Sequence, residues 1–176
     1  MSERPHTESA PSWEFKERDV VILRELARDP QVSSRELRDI LDEEYDIDVS
    51  HVTISESIRK MRDAGVFREA IIPNEAYFIF SLFEIKFNPE HFADEWADAM
   101  EFIRDSENTL IYFLSDGEYQ WKSVMMFPTR DAESRWIHQF YKEHGKVVNN
   151  LRNSVMTNVL KFGTSPELFE HLPVEE

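Results

Sequence analysis

The apolar residues of this chain keep one period through its first third and another after it, and that change most constrains the fold. Up to residue 64 they recur every three or four positions, as the buried stripe of an amphipathic helix must. From Tyr77 to Phe87 they become dense and then alternate, with Phe83, Ile85 and Phe87 on one side of a strand and Glu84 and Lys86 on the other. Helices followed by sheet-forming segments predict an α+β chain of two small domains, which a length of 176 residues accommodates.

In the helical part, Val20, Ile22, Leu23 and Leu26 place a first helix over about Glu14 to Ala27, closed by Asp29-Pro30. Ser33, three residues before Glu36, forms a capping box, and Leu37, Ile40 and Leu41 give the second helix its stripe as far as Tyr45. After an Asp-rich turn, Ile54, Ile58 and Met61 carry a third helix over residues 50–64, stopped by Gly65. Val66 to Ile72 then reads as a short strand ending at Pro73. Three helices and a strand are the order of a winged helix-turn-helix, expected over residues 13–73 behind a disordered 1–12.

The remainder reads β-α-β-β-α-β. After the strand ending at Phe87, Pro89 opens a helix striped by Phe92, Trp96, Met100 and Ile103, and Leu110 to Leu114 returns to strand character. Asp116-Gly117 signals a type I′ hairpin into Tyr119 to Phe127. A helix carrying Trp136, Ile137, Phe140 and Tyr141 runs to Gly145, and Val155 to Phe162 reads as the last strand. This order predicts a ferredoxin-like domain over 74–164, one antiparallel sheet with both helices on one face, and a tail at 165–176. Phe92, Trp96, Trp136 and Phe140 read as core, and Tyr119 and Trp121 as interface residues on the hairpin.

The net charge of -15 opposes nucleic-acid binding, whose usual footprint is basic. The acid excess is spread along the chain: 11 basic against 17 acidic residues up to Ile72, and 9 against 18 beyond it. An excess without blocks reads as a surface adapted to high salt, where the Debye length falls below about 3 Å and acidic surface repels DNA weakly. The absence of cysteine excludes disulfides and thiolate metal sites. No apolar run approaches the ~18 residues that span a bilayer, so the expectation is a soluble, cytoplasmic protein without membrane contact. The six His are scattered, and His91, Asp94 and Glu95 on one helix face read as a solvated surface. With no phosphate loop or nucleophile elbow either, we expect no enzyme, no cofactor and no metal.

In a helix-turn-helix the third helix enters the major groove, so its outward face carries the chemistry. With Ile54, Ile58 and Met61 buried and about 100° per residue, that face holds Val52, Glu56, Arg59 and Asp63, flanked by Ser55 and Lys60. Arg59 suits guanine or phosphate, Thr53 and Ser55 donate or accept, Val52 matches a thymine methyl and Glu56 a cytosine amine. Ser50 and His51 lie at the helix start. Arg59, Lys60, Arg62 and Arg68 against Asp63 make the one basic cluster, and Ser34 and Arg35 at the start of the second helix are placed for phosphate.

The pattern Ser50-x-x-Thr53-Ile54-x-x-x-Ile58-x-x-Met61-x-x-x-Gly65-Val66-Phe67 resembles the recognition helix of the Lrp/AsnC (feast/famine) regulators, here in a salt-adapted archaeal form. Asp116-Gly117-Glu118-Tyr119 is similar to that family's hairpin, and Gly145-Lys146-Val147-Val148 through Lys161 to its closing segment, so the resemblance covers about residues 14–162. It implies a homodimer joined through the sheet domain, often assembled into higher oligomers, that binds pseudo-palindromic double-stranded DNA and in some members senses an amino acid or other small-molecule effector. Two departures stand out: the acidic stretch from Asp42 to Val49 is longer than the family's turn, and the sheet domain holds few glycines, Gly117, Gly145 and Gly163. The alternative reading, favoured by the acidic turn, is a protein-interaction module that binds no DNA, beside a small-molecule-sensing sheet domain.

Overall fold

The computed structural model describes residues 13–74 and 76–174, and of residues 92–94 the backbone only. The expected disorder of 1–12 lies outside the described residues. The chain divides into two compact units: Ile71–Leu160, and the segments on either side of it taken together.

The first unit holds α1 (Glu17–Arg28), α2 (Ser34–Tyr45), α3 (His51–Asp63) and a 3-10 helix (Pro166–His171). The capping box at α2 forms as the spacing predicts: Glu36 N–H donates to Ser33 Oγ at 3.2 Å and Ser33 N–H to Glu36 Oε2 at 2.8 Å. The Ser33 backbone N–H, with the Ser33 hydroxyl beside it, holds the Glu36 carboxyl below its ordinary pKa. Because α2 runs on to Tyr45, residues 42–45 are helix, and the connection to the Ser50 cap of α3 is only residues 46–49. The α3 stop is a Schellman arrangement, with Gly65 at φ 71°, Val66 N–H donating to Met61 O at 2.9 Å and Gly65 N–H to Arg62 O at 3.0 Å.

Ile22, Leu37, Leu41, Ile54 and Met61 are fully buried where the three helices meet. Burial of such a side chain contributes about 1.5–3 kcal/mol. Two expectations fail in this unit. Residues 66–74 form no strand; Val66 and Phe67 pack against the helical core while Ile71 stands 98% exposed, so the expected β wing does not form among the described residues. The segment expected as a tail instead carries the 3-10 helix, whose Phe169 and Leu172 join the same core, with Arg24 paired to Glu170 at 3.1 Å. A single parallel bridge, Phe15 to Val174, accompanies it.

The second unit is the expected β-α-β-β-α-β: β1 (Ile79–Phe87), α4 (Phe92–Arg104), β2 (Thr109–Leu114), β3 (Trp121–Phe127), α5 (Arg130–His144) and β4 (Val148–Val155), with strand order β2-β3-β1-β4, all antiparallel. Phe83, Ile85, Trp121, Met125 and Phe127 point from the sheet into a core with Ala99, Ile103, Trp136 and Phe140 of the helices. Trp136 and Phe140 stack at 5.3 Å. Trp121, read from sequence as an interface residue, is buried, because β3 alternates and its position points inward.

The last strand ends at Val155 where the sequence reading began it. Five of its eight residues, Asn149, Asn150, Arg152, Asn153 and Ser154, are exposed on an edge strand, so it shows little apolar alternation, whereas the apolar Leu160 and Phe162 lie outside any strand. The hairpin is also wider than a two-residue turn: Ser115 N–H donates to Gln120 O at 2.8 Å, and only Gly117 takes a positive φ, whereas a type I′ turn needs two such residues.

One buried carboxylate ties this unit together. Glu133 on α5 accepts from Ser81 Oγ of β1 at 2.6 Å, Asn153 Nδ2 of β4 at 3.1 Å and Arg130 at 2.9 Å. Burial by itself raises its pKa, and the three donors more than offset that, leaving it below the ordinary carboxylate value.

Candidate nucleic-acid interface

α3 buries Ile54, Ser57 and Met61, with Ile58 half-buried. The opposite side is the surface expected from the helical period: Val52, Ser55, Glu56, Arg59, Lys60 and Asp63 are all exposed. Val52, at 55%, is an apolar group held in solvent on a polar surface. At the helix start, Thr53 N–H donates to Ser50 Oγ at 3.1 Å and the two hydroxyls lie 3.0 Å apart, so Ser50 and Thr53 cap the helix; His51 is half-buried.

The structure brings two predicted residues from different helices together. Ser55 Oγ donates to Ser34 Oγ at 2.8 Å, linking α3 to the first turn of α2. Ser34, as acceptor, keeps its own proton for a further donation, so the pair presents a hydroxyl donor beside Arg35. Arg35 is exposed and makes no ion pair with a described residue, as is true of Lys60 and Arg68. Arg68 lies beyond the Gly65 stop, outside the helix.

The other two cations are engaged. Arg59 lies 3.8 Å from Asp63 one turn on, and Arg62 binds Glu69 at 2.7 Å while its guanidinium sits 5.9 Å from the Phe67 ring. The pairing of Arg62 with Glu69, seven residues apart, exists because the chain reverses at Gly65; no helical spacing foretells it. Glu56 shares the exposed face, so four cations meet three carboxylates there, and the basic excess of +3 that the sequence suggests falls to +1. Among the described residues no group of three His, Asp or Glu could hold a metal ion.

The open face of the second unit's sheet has a different make-up. Phe113, Lys122, Glu84 and Arg152 stand in one row across the four strands, and Ile111, Val124, Leu82 and Ser154 in the next. Glu84 bridges Lys122 at 3.6 Å and Arg152 at 3.1 Å, and Arg152 lies 3.9 Å over the Tyr119 ring, whose hydroxyl accepts from Asn150 at 3.0 Å. Ile111 and Phe113 are exposed beside this ladder.

No protein-family model matches the sequence, and no curated protein matches it. Solved structures do match. An AsnC family transcriptional regulator from Agrobacterium tumefaciens aligns over 90% of this chain and 100% of its own with a TM-score of 0.70 at 15% identity. AsnC of E. coli aligns over 88% and 99%, TM-score 0.66, at 16% identity. The chain has the fold of the AsnC-type regulators. A transcriptional regulator from Neisseria meningitidis, solved as a complex with L-Met, shares the AsnC-type fold over 86% of this chain and 95% of its own, TM-score 0.66, at 17% identity. The likeness extends through both units, so the helix-turn-helix and the ferredoxin-like sheet occur here in the same order as in those proteins. No helix among the described residues is long and apolar enough to cross a membrane.

Proposed function

We propose that this chain is a sequence-specific DNA-binding transcription regulator, acting in the cytoplasm as a dimer or higher oligomer, with α3 in the major groove. The observation that carries this reading is the exposed face of α3, where Val52, Ser55, Arg59 and Lys60 offer an apolar contact, a hydroxyl and two cations in the positions from which base edges and phosphates are reached. Ser50, His51 and Thr53 stand at the groove-proximal start of the helix; Ser34, Arg35, Arg62 and Arg68 contact phosphates on either side. The fold shared with regulators at full length supports the same reading. Among the described residues no cluster suggests catalysis, and we assign none.

The open sheet face suits a homodimer contact, since it offers adjacent apolar side chains and a self-contained ion ladder. We assign a small-molecule effector of the amino-acid class to the assembled sheet domains, by analogy with the L-Met complex of the Neisseria protein. The distributed acid excess supports a protein adapted to multimolar salt.

The test is retention of fragmented genomic DNA at low salt and in multimolar KCl, followed by sequencing. Enrichment of a pseudo-palindromic motif is the expected result. A folded dimer that enriches nothing in either buffer would overturn the reading in favour of a protein-interaction module.

A further inference from the structure

Of the cations on the α3 surface, two are already neutralised by the chain's own carboxylates, Arg59 by Asp63 and Arg62 by Glu69, and Glu56 lies one turn before Lys60 on the same exposed side. A phosphate that binds Arg59 or Arg62 competes with a carboxylate for the guanidinium, and the displaced group then lies beside the DNA backbone. Two anions within a Debye length repel, and the repulsion is relieved by a solvent cation between them. Ordinary DNA binding runs the other way, because each neutralised phosphate releases about 0.9 of a condensed counterion.

Resting on the DNA-binding reading above, we propose that this surface binds DNA by exchange: phosphates replace Asp63 and Glu69 on their arginines, and the freed carboxylates, with Glu56, take up cations from solution. The chain's own acids thereby set the salt response of binding. Five cations, Arg35, Arg59, Lys60, Arg62 and Arg68, would give a slope of log affinity against log salt of about -4.5 per protomer if unopposed. Uptake at three carboxylates cuts that to about -2. A tenfold rise in KCl then weakens binding roughly 100-fold per protomer instead of roughly 30,000-fold. An acidic regulator of this kind keeps DNA in salt that would strip a basic one.

The experiment compares the full-length protein with the triple variant Glu56→Gln/Asp63→Asn/Glu69→Gln, each titrated onto a fluorescein-labelled duplex across a range of KCl concentrations. All three side chains are exposed, so the variant should fold, and circular dichroism checks that it does. The expected result is a shallow slope for the natural protein, a slope steeper by about 2.7 for the variant, and a variant that binds more tightly at low salt. A second arm replaces potassium by tetraethylammonium, too bulky to bridge a carboxylate and a phosphate. The natural protein should then steepen toward the variant, while the variant stays where it was. Equal slopes for the two proteins in KCl would overturn the exchange and leave the DNA reading standing. No binding by either protein at any salt would overturn both.

Discussion

The exposed face of α3 and the open face of the sheet are both rich in charge, yet they handle it in opposite ways. On the sheet, Glu84 is held between Lys122 and Arg152, and Arg152 is in turn seated on Tyr119, so each charge has a fixed neighbour on an adjoining strand. On the α3 surface the pairs are local and uneven: Arg59 only reaches Asp63 at 3.8 Å along one helix, Arg62 holds Glu69 at 2.7 Å across the Gly65 reversal, and Lys60 and the nearby Arg35 of α2 have no described ion partner. A settled ladder beside apolar Ile111 and Phe113 suits a permanent contact, since little polar rearrangement accompanies its burial. Cations that are free or weakly held suit a partner that arrives and leaves. The same acidic composition therefore yields one surface suited to staying covered and one suited to exchange.

The contrast breaks most visibly if the sheet face is charged. Ile111→Asp together with Phe113→Asp should weaken the dimer at least about 100-fold, because an unpaired buried carboxylate costs several kcal/mol. Sedimentation velocity should find the variant monomeric at concentrations where the proposed dimer of the natural chain persists, with the fold intact because both side chains are exposed. Unchanged association would place the dimer contact elsewhere.

The next effect lies beneath that sheet. Replacing Glu133 by Leu leaves Ser81 and Asn153 without their acceptor and should cost about 2–3 kcal/mol, read from urea unfolding. The folded-state pKa of Glu133 is depressed, so its contribution is complete above the unfolded value of about 4.3 and is lost as pH falls through the lower folded value. Glu133→Gln should therefore be less stable than the natural protein at neutral pH, with the gap closing as the solution is acidified below about pH 4. A gap that stays constant would mean that the carboxylate is protonated already.

Glu133 also marks the limit of what the chain discloses unfolded. The helices, their caps and the outward face of α3 follow from local rules: Ser33 with Glu36, Gly65 after Met61, and the spacing of Ile54 and Met61 each act within a turn or two. What escaped depends on partners far along the chain. β4 is an edge strand of mostly polar residues, held by pairing with β1 rather than by its own alternation. Val66 to Ile72 has strand-like composition, but nothing described pairs with it. The tail became a helix because α1 offers Phe169 and Leu172 a place to bury. The candidate surface was legible as a list of exposed residues and not as a circuit, since Ser34 with Ser55 and Arg62 with Glu69 meet only after folding.

On α3 the comparison sharpens when reading and anchoring are separated. Arg59→Ala should weaken all sequences alike, because exchange sets its guanidinium on a phosphate, whereas a loss of about 1–3 kcal/mol confined to one base position would mean that it reads a base instead. Arg68→Ala, beyond the helix, should do the same. Binding to a set of single-base operator variants decides it: equal losses on every duplex for both mutants would remove Arg59 from base readout.

The smallest effect concerns the one tie between α2 and α3 on this surface. Ser55→Ala removes the donor to Ser34 Oγ and also the bond to the His51 carbonyl at 3.0 Å. Ser55 is exposed and Ser34 and His51 are only half-buried, so water replaces the lost partner and the melting temperature should hardly move. The Ser34 hydroxyl, however, loses the neighbour that fixes which way its proton points, and a phosphate contact through it becomes one orientation among several. Affinity should fall by about twofold to fivefold, uniformly across sequences, because phosphate contacts position the protein without reading bases. A Ser34→Ala/Ser55→Ala double mutant should lose no more than Ser34→Ala alone, since both changes act through the same hydroxyl. Additive losses would show that Ser55 also contacts DNA directly from its place on the exposed face of α3.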